Sequence, residues 1–242
     1  MSYYILLKSM SLIISKNNRG YFLIKINGKQ DRKIIDKKIL NYIKNLTIPP
    51  AYKQVRIFYC NNKTPKILYT GIDSKGRLQR IYSSNHIKKQ DKLKLCKLYY
   101  LSTHMDTIKK KINKGICQIK LTQDKVICMV LKLMLICYFR LGNMKYFQLY
   151  HSIGTISIQK KHIKIKKDGI LHIKFPGKKG IINYCKVENK TFIKELTNIM
   201  SGLNDNEFIF KYLDNGIKVP IRAIDVNYWL NSFNKNITSK LF

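Results

Sequence analysis

The spacing of the apolar residues changes once along this chain, near residue 87, and this change constrains the fold more than any other feature. Before it, short runs rich in β-branched and aromatic residues, such as residues 12–15 and 21–26, are separated by turn-forming residues, which is typical of strands. After it, Leu98, Leu101 and Met105 begin a series at helical spacing. The sequence therefore predicts an α+β fold: a small β-rich N-terminal domain, then a mainly α-helical domain with an inserted β-hairpin.

The elements of the N-terminal part follow from the same signals. Strands are predicted at residues 3–7, 12–15, 21–26, 55–60, 66–70 and 78–82, with turns at residues 17–20 and 27–28. Residues 33–45 are predicted to form a short helix that the following Pro49 and Pro50 stop. The polar, basic stretch at residues 86–92 is interpreted as a linker, which divides the chain into domains at residues 1–86 and 87–242.

The second domain is predicted to centre on one apolar helix. Residues 123–141 form this helix, with Thr122 as its N-cap and Gly142 as its C-terminal stop. Further helices are predicted at residues 192–203 and 225–233, and strands at residues 156–158, 163–165 and 170–175. The Asp-Gly pair at residues 168–169 predicts a tight hairpin between the last two strands.

The net charge of +34, from 47 lysines and arginines against 13 acidic residues, points to a polyanionic partner. Self-repulsion of this size destabilises a compact state, and neutralising phosphates releases counterions and drives binding to nucleic acid. A second origin of the charge stays open. The chain is rich in Lys, Ile, Asn and Tyr, as AT-rich coding sequence tends to be, so part of the lysine excess would lie on ordinary solvated surface.

The residue patterns of metal-dependent and nucleotide-dependent chemistry are missing from the sequence. The carboxylates are few and scattered, so no Mg²⁺ cluster is predicted, and no phosphate loop ending in Gly-Lys-[Ser/Thr] is present. We therefore expect no metal, no cofactor and no nucleotide. Phosphate chemistry without a metal needs cationic donors, a general acid and a nucleophile.

The six cysteines show no Cys-x-x-Cys pair and no metal-like pairing with the five histidines. Because most of them lie among apolar residues, we expect reduced, buried thiols in an intracellular protein. No signal-peptide pattern is visible at the N-terminus. The most apolar stretch, residues 126–139, is too short to span a bilayer, so no membrane association is expected.

Three cations are candidates for phosphate chemistry. The chain has only seven arginines, and a retained Arg in a lysine-rich chain suggests a site that needs the bidentate guanidinium fork. Arg140 ends the apolar helix, Lys174 lies on the polar face of the strand at residues 170–175, and Arg222 follows Pro220. Each has an ordinary alternative explanation: a helix-terminal cation, a solvated strand residue, and a surface residue at a helix start.

Five short motifs carry a family resemblance. Residues 48–52 read Ile-Pro-Pro-Ala-Tyr, residues 71–79 read Gly-Ile-Asp-Ser-Lys-Gly-Arg-Leu-Gln, residues 140–143 read Arg-Leu-Gly-Asn, residues 174–178 read Lys-Phe-Pro-Gly-Lys, and Arg222 is followed by Val-Asn-Tyr at residues 226–228. In order and approximate spacing they resemble the type IB DNA topoisomerases of poxviruses, giant viruses and bacteria. Any one motif is weak, but five in register argue against a chance match.

This resemblance implies an enzyme that relaxes supercoiled double-stranded DNA, without ATP or metal, through transient single-strand cleavage, a 3′-phosphotyrosyl link and religation. It implies that Arg140 and Arg222 stabilise the phosphorane and that Lys174 protonates the leaving 5′ oxygen. The implied DNA contacts are Lys75, Arg77, Gln79 and Tyr82 in the first domain and Lys145 and Tyr146 in the second. A two-lobed clamp, a monomer and a viral source are implied as well.

The chain departs from the family pattern after Arg222. A histidine and the nucleophilic tyrosine are expected several dozen residues later, but only twenty residues follow Arg222, and their sole tyrosine, Tyr228, matches a different family position. The chain is therefore expected to be truncated before the catalytic tyrosine, and the resemblance does not by itself predict activity of this chain alone. Three alternatives stay open: a catalytically dead DNA-binding remnant, a tyrosine recombinase, whose His-x-x-Arg pattern is missing, and a basic RNA-binding protein without an RNP-like motif.

Overall fold

The chain folds into two compact units, residues Met1–Lys94 and Leu95–Phe242. The computed structural model describes residues 12–16, 22–26, 29–33, 37–60 and 63–242. Both units combine helices with antiparallel sheets, which confirms the predicted α+β class. The strand expected at residues 3–7 and the turns expected at residues 17–20 and 27–28 lie outside the described residues.

The first unit is built on a six-stranded antiparallel sheet. Its strands are β1 (Leu12–Lys16), β2 (Phe22–Ile26), β3 (Lys29–Lys33), β4 (Lys53–Tyr59), β5 (Ile67–Ile72) and β6 (Leu78–Tyr82), in the order β3-β2-β1-β4-β5-β6. Helix α1 (Lys37–Lys44) packs its buried Ile39 and Ile43 against Ile57 of β4 and Tyr69 of β5. This small cluster is the core of the unit among the described residues.

The predicted helix at residues 33–45 is too long at its start. Residues 29–33 read Lys-Gln-Asp-Arg-Lys, have no apolar alternation and yet form β3 at one edge of the sheet. Hydrogen bonds to β2 therefore form this strand although its own sequence has only a weak preference for strand. A charged sequence suits this position, because charged edge strands resist pairing with other chains.

Four helices, the greater part of a fifth and two small sheets make up most of the second unit. The helices are α2 (Ser84–Ile116), α3 (Gln123–Cys137), α4 (Met144–Tyr150), α5 (Lys190–Met200) and α6 (Ala223–Asn231). The sheets are β7 (Ile163–Ile165), β8 (Leu171–Pro176) and β9 (Ile182–Val187) in that order, and the hairpin of β10 (Lys211–Asp214) with β11 (Ile217–Pro220).

The linker predicted at residues 86–92 is wrong, because these residues are helical. They lie inside α2, which begins in the first unit and continues into the second. The segment is polar, but it has no Gly or Pro before Gly115, and lysine, leucine and glutamine are good helix formers. The polar composition therefore marked an exposed stretch of helix, close to the division between the two units, and not an irregular linker.

Helix α3 is the centre of the second unit's core. Every residue from Lys125 to Leu131 is buried, so the helix is covered on all sides. The hydroxyl of Thr122 accepts a hydrogen bond from the Lys125 N–H at 3.2 Å, which confirms the predicted N-cap. The helix ends at Cys137, before the predicted residue 141, because Tyr138 adopts the left-handed conformation with φ of 55° and its N–H bonds the Met134 carbonyl.

The hairpin predicted by the Asp-Gly pair is confirmed, with β7 and β8 antiparallel and Gly169 at a φ of +78°. The strand predicted at residues 156–158 is wrong: Thr155–Ser157 is a short 3-10 helix. The Ser157 hydroxyl donates to the Gly154 carbonyl at 3.1 Å and accepts from the Gly154 N–H at 3.0 Å. This closed pair satisfies buried polar groups locally, so no strand partner is needed.

The expectation that all cysteines are reduced and buried is also wrong. Cys137 and Cys185 form a disulfide between the end of α3 and strand β9. Cys96 and Cys117 are exposed, whereas Cys128 is buried, and burial raises the pKa of its thiol to about 12. The two bridged residues are far apart in sequence, and the sequence offered no sign that α3 and β9 would meet.

Within the described ranges, none of the helices is both long and apolar enough to cross a membrane.

Candidate active site

Arg140 lies in an irregular segment between α3 and α4, which backbone hydrogen bonds hold in place. Phe139 and Leu141 on either side of it are buried, whereas Arg140 is exposed. The Arg140 carbonyl accepts hydrogen bonds from the Thr155 N–H at 2.9 Å and from the Thr155 hydroxyl at 3.1 Å. The guanidinium therefore projects into solvent from a fixed backbone, as a group that stabilises a developing charge must.

The residues after Arg140 explain why its motif contains Gly and Asn. Gly142 has a φ of +83°, and a Cβ there would lie 2.7 Å from the Cα of Gly154. Two backbone segments therefore cross where neither has a side chain. Asn143 caps α4 by accepting the Lys145 N–H at 2.8 Å. Among residues 140–143, Leu141 is buried in the core and Asn143 caps a helix, whereas the side chain of Arg140 has no structural role in the described part of the chain.

Helix α4 displays the two predicted DNA contacts of the second unit. Lys145 and Tyr146 are both exposed, and the ring of Tyr146 stacks on that of Tyr150 with centroids 6.0 Å apart. The helix thus presents a cation beside an aromatic pair, the chemistry that suits a nucleic acid strand.

Lys174 lies on the outward face of β8, as its alternation predicts. Ile173 and Phe175 are buried and Lys174 is exposed. The Phe175 ring packs edge-on against Phe139, with centroids 4.8 Å apart. Because Phe139 precedes Arg140 and Phe175 follows Lys174, this core contact brings the two candidate segments together.

The outward side of the three-stranded sheet forms a basic face around Lys174. We call it the basic sheet face, and its members are Lys164, His172, Lys174, Tyr184 and Lys186. A hydrogen bond of 2.7 Å is shared between Nδ1 of His172 and Oη of Tyr184. Strand β9, which supplies Tyr184 and Lys186, was not predicted, so sequence reasoning missed these two residues.

Arg222 caps the start of α6 and is already held by a carboxylate. Its Nε and Nη2 donate to Asp225 at 3.1 and 2.8 Å, and its backbone N–H also bonds Asp225 at 2.9 Å. These hydrogen bonds lower the pKa of Asp225 and raise the pKa of Arg222. The Arg222 side chain is 70% exposed, so solvent weakens the pair, and a guanidinium with five N–H donors keeps others for a ligand.

A cavity of about 450 Å³ adjoins Arg222. Its walls include Lys111, Asp124 and Trp229. The Trp229 indole donates to Asp124 at 2.7 Å, and the Lys111 ammonium lies 5.0 Å from the Trp229 ring centre. Arg140 and Lys174 do not line this cavity, and no hydrogen bond or ion pair among the described residues joins either of them to Arg222.

Three of the four predicted DNA contacts of the first unit, Lys75, Arg77 and Gln79, surround one carboxylate, Asp73. Its Oδ1 accepts the backbone N–H groups of Lys75 and Arg77, each at 2.9 Å, and its Oδ2 accepts from the side chains of Arg77 at 2.9 Å and Gln79 at 2.8 Å. The hydrogen bonds from Arg77 lower the pKa of Asp73 most. Asp73 therefore organises the loop between β5 and β6, while the Lys75 side chain stays exposed.

The two N-terminal motifs meet at Gly71. A Cβ there would lie 2.8 Å from Cδ2 of Tyr52, so the tyrosine of the first motif packs on the first glycine of the second. Tyr82, at the end of β6, is exposed at its ring, which lies 5.1 Å from the His86 ring. The structure thus gives these motif residues structural contacts and leaves Lys75 and Tyr82 accessible.

Comparison with known proteins gives consistent matches. The family model described as eukaryotic DNA topoisomerase I, catalytic core, matches residues 83–242, more than half of the chain. The chain is 28% identical over 180 residues to the DNA topoisomerase 1B of Acanthamoeba polyphaga mimivirus, covering 74% of this chain and 52% of that protein. It is 27% identical over 191 residues to the DNA topoisomerase I of Monkeypox virus, covering 72% and 59%.

A more distant relative is the DNA topoisomerase 1 of rabbit fibroma virus (strain Kasza), 24% identical over 222 residues, with 81% of this chain and 67% of that protein covered. The matches to the mimivirus and Monkeypox virus proteins span 52% and 59% of those relatives' lengths.

Proposed function

The chain belongs to the type IB DNA topoisomerase family, and from this membership we propose that it binds duplex DNA and takes part in the relaxation of supercoils by transient cleavage of one strand. The observation that carries the proposal is that the segments of Arg140 and Lys174 lie next to each other. Both are exposed cations on fixed backbone, joined through the contact of Phe139 with Phe175, and both lie within the matched residues 83–242.

The candidate residues have two roles in the proposed reaction: charge stabilisation and proton transfer. A tyrosine oxygen attacks the phosphorus and forms a 3′-phosphotyrosyl bond, while the bond from phosphorus to the 5′ oxygen breaks. Arg140 and Arg222 donate hydrogen bonds to the non-bridging oxygens, where negative charge develops. Lys174 gives a proton to the leaving 5′ oxygen and takes it back on religation. These steps use neither ATP nor a metal.

The attacking tyrosine is not assigned to a residue. Tyr228 lies on α6, is 80% exposed and lines the same cavity as Arg222. The family resemblance matches it to a position behind the second arginine and not to the nucleophile. The proposal therefore concerns the phosphate-activating groups of this chain.

DNA contact is proposed for both parts of the chain. Residues 1–86 would bind DNA as one domain and residues 87–242 would hold the reacting phosphate. The proposed contacts are Lys75, Arg77, Gln79, Tyr82, Lys145 and Tyr146. For Arg77 and Gln79 the bond to Asp73 orients the side chain, as a precise contact requires. We propose a monomer.

A second candidate function is duplex binding without strand cleavage. The observation that favours it is the ion pair of Arg222, whose fork is occupied by Asp225. A phosphate oxygen must then compete with a carboxylate for the guanidinium. In this case the basic surface would bind DNA and no strand would be cut.

Supercoiled plasmid with EDTA and without ATP separates the two functions. One arm contains the chain alone, and the other adds a C-terminal segment of a related enzyme that carries its histidine and tyrosine. Arg140→Ala is run in both arms. Relaxation by the wild type that Arg140→Ala loses supports the topoisomerase role. Salt-sensitive DNA binding without relaxation in either arm favours the second function.

A further inference from the structure

The residues of the basic sheet face stand in two cross-strand rows. Lys164, His172 and Lys186 form one row across β7, β8 and β9. Lys174 and Tyr184 are direct partners in the next row. Three lysines therefore share one small surface, and one of them, Lys174, is the candidate proton donor.

A single hydrogen bond crosses between these rows. Tyr184 reaches diagonally to His172, with 2.7 Å between Oη and Nδ1 and 5.8 Å between the ring centres. Diagonal neighbours on a sheet lie about 7–8 Å apart at their backbones, within reach of long and aromatic side chains. The tyrosine ring therefore leans toward His172, away from the end of β8 at Pro176.

We propose that His172 and Tyr184 are positioning residues that direct the Lys174 side chain. Directly opposed residues have Cβ atoms about 5 Å apart, so the ring of Tyr184 flanks the aliphatic stem of Lys174. Fixed toward His172, the ring blocks the conformers of Lys174 that point to Lys164 and Lys186. The conformers that remain point the ammonium toward the turn that follows Pro176.

The proposal rests on the proposed function, since it adds a device that orients the proton donor named there. Lysine is a flexible point charge with four rotatable bonds and high rotamer entropy. A general acid works only within hydrogen-bond reach of the atom it protonates. A neighbouring side chain that excludes unproductive conformers of Lys174 therefore raises the fraction of time in which Lys174 can transfer its proton.

The first test observes Lys174 directly in the folded chain. Lysines are labelled with ¹³C at Cε, and the Lys174 signal is identified by its loss in Lys174→Arg. We expect two resolved Hε shifts for an oriented side chain, which merge in Tyr184→Phe and in His172→Leu. His172→Asn keeps a polar atom near the position of Nδ1 and should restore the splitting.

Tyr99→Phe serves as the matched control, because Tyr99 is an exposed tyrosine of α2 whose hydroxyl takes part in none of the side-chain hydrogen bonds described for this part of the chain. An unchanged Lys174 signal in both Tyr184→Phe and His172→Leu overturns the proposal. If the Hε shifts of Lys174 merge in Tyr184→Phe, comparable thermal unfolding of Tyr184→Phe and Tyr99→Phe shows that the merging does not come from a loss of fold.

The second test measures strand cleavage in whichever arm of the plasmid assay is active. We expect Tyr184→Phe and His172→Leu to slow cleavage about tenfold to hundredfold, the usual cost of a misplaced group, with unchanged duplex affinity. Merged Lys174 signals with a full cleavage rate overturn the role in the reaction. Merged signals with no cleavage by any form, wild type included, support the orientation of Lys174 and count against the proposed function.

Discussion

Two glycines of the second unit share a positive φ but differ in their surroundings. A Cβ at Gly142, whose φ is +83°, would lie 2.7 Å from the Cα of Gly154, whereas a Cβ at Gly169, whose φ is +78°, would meet open space. An alanine at positive φ costs about 1–2 kcal/mol, so we expect Gly169→Ala to lose roughly that amount. Gly142→Ala must also displace backbone and should lose about 2–4 kcal/mol. Urea denaturation measures both, and equal losses would contradict a tight crossing beside Arg140.

Asp73 predicts a pH dependence at the scale of one side chain. Its pKa is lowered by hydrogen bonds from Arg77, so at mildly acidic pH the unfolded chain binds more protons at this site. The stabilisation is therefore complete above the ordinary aspartate pKa and is lost as the pH falls through the lower, folded value. The thermal midpoint of Asp73→Asn should lie below that of the wild type at neutral pH and approach it in acid. Asp106→Asn, at an exposed site of α2, is the control. A difference in thermal midpoint between Asp73→Asn and the wild type that does not change with pH would refute the prediction.

The exposure of the candidate cations was predictable, but their partners were not. Alternation along β8 correctly placed Lys174 outward. The Arg222–Asp225 pair forms because helix α6 begins at Ala223. In the first turn of a helix, the side chain of the capping residue can contact the residue three positions later. The predicted helix began at residue 225, so this contact was missed.

At the scale of elements, the disulfide joins the segments that carry Arg140 and Lys174, two of the three candidate cations. Cys137 lies three residues before Arg140, and Cys185 is the direct partner of Ile173, next to Lys174. Closing a loop of 48 residues stabilises a fold by roughly 4 kcal/mol in the chain-entropy description. We expect Cys185→Ser to lose a large part of this, and peptide mapping without reductant to recover the bridged pair.

Cys96→Ser provides the control for this bridge, since Cys96 is free and exposed. Reductant should lower the stability of the wild type and of Cys96→Ser but leave Cys185→Ser unchanged. Equal sensitivity of all three to reductant would show that the bridge does not stabilise the fold.

Elements with a strong periodic pattern or a turn signal could be predicted from the local sequence. Strands whose formation depends on pairing with a neighbouring strand could not. Helix α3 and the hairpin of β7 and β8 were found because burial, an N-cap and an Asp-Gly turn agree. Strands β3 and β9 were missed because their own alternation is weak and a neighbouring strand recruits them. The hairpin of β10 and β11 did carry a signal, the Asn-Gly pair at residues 215–216, which is typical of a tight turn.

At the scale of the whole molecule, the net charge of +34 makes stability depend on ions. Self-repulsion opposes the compact state, and it is screened when the Debye length shrinks from about 30 Å at 0.01 M salt to about 8 Å at 0.15 M. The thermal midpoint should therefore rise with salt over this range. Duplex DNA added at low salt should raise it as well, because it binds the folded state preferentially. A midpoint that falls with salt would show that attractive ion pairs dominate.

The same charge predicts how DNA affinity responds to salt. Each phosphate neutralised contributes about −0.9 to the slope of log affinity against log salt, so a many-lysine interface should give a steep slope. Lys145→Gln removes one proposed contact and should reduce the slope by about 1. Lys240→Gln removes the same charge from an exposed site near the end of the described chain, to which no contact is assigned. Fluorescence anisotropy over a salt series measures both. Equal changes in the two variants would mean that DNA is held by diffuse charge, and the proposed contact at Lys145 would then be wrong.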